Sequence, residues 1–93
     1  MLFEVITSGV PIGMSGDEFI TRLPEGRAYM KELRDQGVIL HSWIRVGRSG
    51  ALTIFSVDSH EELQKALYRN PLTPHVHFEI VPLMESEGYD KLG

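Results

Sequence analysis

Ninety-three residues, 42% of them hydrophobic and 24% charged, amount to one ordinary globular domain. Nine Lys+Arg against thirteen Asp+Glu leave a net charge of −4, so no basic field invites nucleic acid. The lack of cysteine excludes disulfides, thiolate nucleophiles and cysteine-ligated metal.

No apolar run approaches the roughly 18 residues of a membrane span. Glu4 interrupts the first apolar stretch at once, so no secretory leader is expected and the cytoplasm is the default location. Leu2 to Thr7 is short and β-branched, and Gly9 and Pro11 end it as a strand. Ser15 and Glu18 have capping-box spacing, and Phe19, Leu23, Met30 and Leu33 then fall on one helical stripe as far as Gly37. Pro24 lacks a donor and crowds the preceding turn, which predicts a kink or a break and restart.

Val38 to Val46 predicts a second strand, with Ile39, His41, Trp43 and Arg45 on one face. Gly47 to Gly50 is hairpin material, and Ala51 to Val57 returns as the third strand. Ser59 and Glu62 repeat the capping-box spacing before a second helix that buries Leu63, Ala66 and Leu67. Pro71 and Pro74 force a rigid turn, and Val76 to Leu83 is the last strand. A polar tail, residues 84–93, completes what reads as a single domain over residues 1–93.

The order βαββαβ predicts a ferredoxin-like α+β sandwich, a four-stranded antiparallel sheet with two helices on one face. Right-handed crossovers put both helices on the same side and leave the other sheet face bare. Pairing with a second copy is the simplest way to cover it, so a homodimer is expected.

Several ordered fragments carry a family resemblance. They are Met1-Leu2-Phe3-x-Val5, Tyr29-x-x-Glu32-Leu33-x-x-x-Gly37, His41-x-Trp43, Gly47, and Ile54-Phe55-x-Val57 running on to Ser59, Glu62-Leu63 and Leu67. Asn70-Pro71-Leu72-x-Pro74 and Val81-Pro82-Leu83 follow. In this order they resemble the muconolactone delta-isomerase family of the dimeric α/β-barrel superfamily. The resemblance implies a cofactor-free isomerase of aromatic catabolism, which moves a proton to shift the ring double bond of muconolactone. It also implies dimers assembled into decamers, with the pocket between sheet and helices.

The family's first helix carries a lysine and a glutamate, and ungapped these positions fall on Leu23 and Gly26. A one- or two-residue slip at Pro24 would let Arg22 and Glu25 take their places. Glu25 is therefore the candidate base, raised into a useful range if its pocket is apolar. His41 is the second candidate proton carrier, since imidazole titrates near neutrality. Arg22 and Arg45 are candidate clamps for a substrate carboxylate, because a guanidinium offers paired donors. Tyr29 and Trp43 are expected as pocket wall.

Arg45 stands one place later than the family's arginine, on the opposite sheet face. An ion pair of Arg45 with Glu4 or Glu79 is the structural alternative to a clamp. His75 and His77 alternate along the last strand, but no third ligand follows at recognisable spacing, so no metal is expected. Two other functions fit the same residues. One is a cofactor-free cyclase or oxygenase on an aromatic or polyketide-like substrate, the other a non-catalytic ligand-binding or oligomerisation module. In either enzymatic case the partner is a small molecule, a lactone or cyclic carboxylic acid.

Overall fold

The computed structural model describes residues 1–8 and 11–87. Its elements are β1 (Leu2–Ser8), α1 (Gly16–Asp35), β2 (Ile39–Ile44), β3 (Ala51–Ser56), α2 (His60–Tyr68) and β4 (His77–Leu83). The four strands form one antiparallel sheet in the order β2-β3-β1-β4. This is the βαββαβ sandwich that the hydrophobic pattern predicts. The expected stop at Gly9 and the end of the polar tail, residues 88–93, lie outside the described residues.

Both helices begin as the capping boxes require. Ser15 Oγ accepts from the Glu18 amide at 3.1 Å, and Ser59 Oγ from the Glu62 amide at 3.1 Å. The Glu62 carboxylate takes the Asp58 amide at 3.0 Å, one residue before the cap itself.

One core joins the two layers. Phe3 and Val5 of β1 and Phe55 of β3 meet Leu33 of α1 and Leu63, Ala66 and Leu67 of α2. Alternation then assigns the sheet's other face to Leu2, Glu4, Ile6, Leu52, Ile54 and Val81.

Two sequence expectations need correction. First, of the kink or break expected at Pro24 the break does not occur, since α1 continues as one helix from Gly16 to Asp35. The proline costs the helix one bond, to the carbonyl of Ile20, and both residues are exposed, so water can serve that oxygen. Second, Ile39 does not share a face with His41 and Trp43. The β2–β3 register shifts between Ile39, opposite Phe55, and His41, opposite Ile54, leaving Leu40 as the extra residue of a bulge. Ile39 thus enters the core at 3% exposure while Trp43, 54% exposed, sits with His41 on the bare face.

His75 also differs from expectation. It belongs to a short 3₁₀ turn, Thr73–His75, ahead of β4. Its Nδ1 lies 2.6 Å from the Ile12 carbonyl, and the Ile12 amide donates back to the His75 carbonyl at 3.0 Å. His77 lies apart from it, in β4, so the two rings do not form a pair on one strand. Among the described residues no group of three His, Asp or Glu could hold a metal ion.

The β2–β3 hairpin depends on Gly50. Its φ is +99°, and a Cβ there would stand 1.7 Å from the backbone oxygen of Thr7. Gly47 also has positive φ, +76°, but faces open space. Gly50→Ala is therefore expected to cost roughly 2 kcal/mol or more beyond the about 1–2 kcal/mol of Gly47→Ala. Urea denaturation of the two variants side by side measures the difference.

Candidate functional site

A cavity of about 590 Å³ lies between the helix-covered sheet face and α1. That is the size range of small-molecule pockets. Its sheet side is Val5, Thr7, Thr53, Ala51 and Phe55, and its helix side Phe19, Leu23, Gly26, Met30 and Leu33. These helical positions repeat at three and four residues, so one continuous stripe faces the sheet. The Asn70–Leu72 segment and Thr73, Val76 and Phe78 close another side. Small hydroxyls interrupt the apolar lining, among them Ser42, whose Oγ lies 3.2 Å from Thr53 Oγ1.

The charged residues bordering the cavity are Arg27 and Arg34, and no carboxylate or imidazole joins them among the described residues. Although the chain carries a net charge of −4, the charged groups its described residues show to the cavity are cations. Arg27 and Arg34 were not singled out in the sequence, and Asn70 entered only within the resemblance motif. The helical stripe drawn through Phe19, Leu23, Met30 and Leu33 has both arginines at its margin, one residue after Gly26 and one after Leu33.

Of the candidates named from sequence, Tyr29 and Trp43 line the cavity, while Glu25, Arg22, His41 and Arg45 do not. Glu25 follows from the unbroken helix. Without a slip at Pro24, position 25 is turned away from the stripe, and its side chain is 60% exposed. Its carboxylate lies 3.6 Å from the Arg22 guanidinium, a long and solvated ion pair.

Arg45 is held by its hairpin, donating from Nη2 to the Ser49 carbonyl at 2.7 Å. Its Nε is buried without a partner, and the expected pair with Glu4 or Glu79 is not formed. His41 is exposed on the bare face, but its ring stacks on Trp43 with centroids 5.4 Å apart and planes at 15°. Because β2 is an edge strand, Trp43 can belong to that face and still border the cavity. His41 is thus one ring away from a lining residue.

Gly26 has a specific role. A Cβ there would lie 2.7 Å from Leu72 Cδ1 and 3.3 Å from Asn70 Oδ1, so no side chain fits unless Leu72 moves. The two positions to which the resemblance assigns a lysine and a glutamate, Leu23 and Gly26, are apolar and bare parts of the lining.

Tyr29 fastens the helices to each other. Its hydroxyl donates to the Ala66 carbonyl at 2.6 Å, in the last turn of α2, where carbonyls lack intrahelical partners. Burial raises the Tyr29 pKa above the ordinary phenol value, opposed by the nearby Arg69 and assisted by Glu32. The folded state therefore prefers the neutral phenol. Its contribution is complete below about pH 10 and disappears as pH rises through the higher folded value.

The fold and cavity define a ferredoxin-like α+β protein with a cation-bordered small-molecule pocket. The model of the muconolactone delta-isomerase family matches residues 1–87, and the chain belongs to that family. The muconolactone delta-isomerase of Acinetobacter baylyi is 34% identical over 84 residues, 89% of this chain and 88% of the relative. That of Rhodococcus opacus is 39% identical over 57 residues, 61% of each chain.

Among solved structures, a muconolactone isomerase superposes with a TM-score of 0.79 at 26% identity, covering 91% of this chain and 90% of the other. A 5-chloro-2-hydroxyhydroquinone dehydrochlorinase from Burkholderia phenoliruptrix, in complex with 2,5-dihydroxybenzoquinone, gives a TM-score of 0.73 at 16% identity. It covers 94% of this chain and 97% of its own, and shares the fold. No helix among the described residues is long and apolar enough to cross a membrane.

Tyr29→Phe removes one buried donor and leaves the Ala66 carbonyl unpaired. We expect a loss of about 1 kcal/mol near neutral pH and a weaker decline of stability above about pH 10. Ultraviolet titration should also lose the phenol that burial raises, and denaturation as a function of pH measures the alkaline limb.

Proposed function

We propose that this chain is a cofactor-independent isomerase, shifting a double bond in a lactone acid such as muconolactone by proton transfer. The observation that carries the proposal is 34% identity across 89% of the chain to a muconolactone delta-isomerase. The cavity supports it, being large enough for a small lactone, mainly apolar, and bordered by cations that suit a carboxylate.

The chemistry needs a group to take the proton beside the lactone carbonyl and return it to the neighbouring carbon. Neither Glu25 nor His41 lines the cavity, and of the two we assign this role to His41, whose ring stacks on the lining residue Trp43 of the edge strand. A neutral imidazole accepts the proton, and the imidazolium it becomes returns it. The intermediate is enolate-like, and hydroxyl donors aimed at its oxygen would lower the barrier. Ser42, one residue from both His41 and Trp43, is the donor on the same strand that lines the cavity.

Among the described residues no carboxylate or imidazole lines the cavity, which favours a second reading, a ligand-binding module without turnover. Incubation of the purified protein with muconolactone separates the two. The expected result is enol-lactone formation without added cofactor, and its absence overturns the isomerase. In the same assay His41→Gln is expected to lower kcat at least about 100-fold. Glu25→Gln should stay within about threefold of the parent, as suits an exposed ion-paired carboxylate.

We further propose a homodimer that covers the bare sheet face, where Leu2, Ile6, Leu52, Ile54 and Val81 would otherwise meet water beside Trp43. Extension to a decamer rests on the family resemblance alone. Light scattering should give at least twice the mass of one chain at micromolar concentration, and a Leu52→Lys change should halve it.

A further inference from the structure

Two arginines border the cavity, and among the described residues neither has a carboxylate partner. The ion pairs among the described residues are Arg22–Glu25 and Lys31–Asp35, and neither involves Arg27 or Arg34. The two arginines are seven residues apart, two turns of α1, so they ride the same side of the helix.

Arg27 differs from Arg34 in its surroundings. Asn70 packs against the turn that bears Arg27, its Oδ1 3.3 Å from where a Gly26 Cβ would stand. That oxygen accepts the Leu72 amide at 3.0 Å, and since an N–H demands an acceptor the amide orientation is decided. The NH₂ end of Asn70 is then left with two donors and no protein acceptor among the described residues. Gly26 inserts no side chain between them. Arg27 and Asn70 thus both border the cavity along with the apolar Leu23 and Leu72, and among the described residues no carboxylate lines it to compete.

We propose that Arg27, assisted by the Asn70 amide, is the carboxylate clamp of the cavity and selects ligands bearing a free carboxylate. This deepens the lactone-acid reading above and rests on it. An anion leaving water for an apolar pocket needs charge-assisted donors to replace its hydration. A guanidinium supplies two parallel N–H groups and stays charged at every working pH. Arg34, two turns away beside the core residue Leu33, adds to the general field and makes no clamp.

Equilibrium binding tests the clamp apart from catalysis. Titration calorimetry would use muconolactone and its methyl ester, which replaces the charged carboxylate with a neutral group one methyl larger. The parent should bind the acid at least about tenfold more tightly than the ester. Arg27→Gln should bring the two within about twofold while ester binding persists, and Arg27→Lys should restore part of the preference. Asn70→Asp keeps the acceptor for the Leu72 amide but replaces the donor with negative charge. It should weaken acid binding about tenfold or more and leave ester binding unchanged. Arg48→Gln, in the hairpin turn and away from the lining, should leave the preference intact.

A preference that survives Arg27→Gln, or a parent with no preference, overturns the clamp whatever the turnover. A parent that shows the preference but no turnover supports the clamp and overturns the isomerase reading.

Discussion

The phase of α1 governs most of what this molecule can do. Twenty residues of uninterrupted helix at about 3.6 per turn allow one stripe to face the sheet. Phe19, Leu23, Gly26, Met30 and Leu33 occupy it, and every other position follows. Leu33 reaches the core, Arg27 and Arg34 flank the cavity, and Glu25 is sent to solvent. A slip of one residue within this helix would rotate each side chain by about 100° and exchange the cations for the carboxylate.

The bulge at Leu40 does for the edge strand what phase does for the helix. Without the extra residue, Ile39, His41 and Trp43 would share a face, and the core would gain a polar ring or lose an isoleucine. With it, Ile39 fills the core opposite Phe55, and the stacked His41–Trp43 pair is free to stand outside. The cavity's cations thus stand on the helix side, while the His41 imidazole stands on the opposite sheet face, stacked on Trp43.

The fold was legible because each of its signals is local. Strand patterns, two Ser-x-x-Glu boxes and the glycines of the hairpin each describe a few neighbouring residues, and all pointed to one topology. The site was less legible, because its key positions depend on two local events that the sequence signals ambiguously. Pro24 is a helix breaker by its chemistry, yet an exposed proline costs a bond that water replaces, and tertiary packing carried the helix through. A bulge leaves no mark in an alternating run such as Ile39 to Arg45, since inserting one residue only inverts the pattern downstream. Trp43 and Tyr29 were found because aromatic side chains of their size seldom do anything but line a wall or fill a core.

The bond from Tyr29 to the Ala66 carbonyl makes the two margins of the cavity unlike. It pins α1 to α2, so the two helices cannot part without first exposing an unpaired carbonyl. The opposite margin is built differently. There the cavity meets Ile44, Ser49 and Gly50 of the hairpin, on an edge strand with no neighbour beyond it among the described residues. The helical margin is thus cross-braced between two elements, whereas the hairpin margin is held by strand pairing along one edge alone.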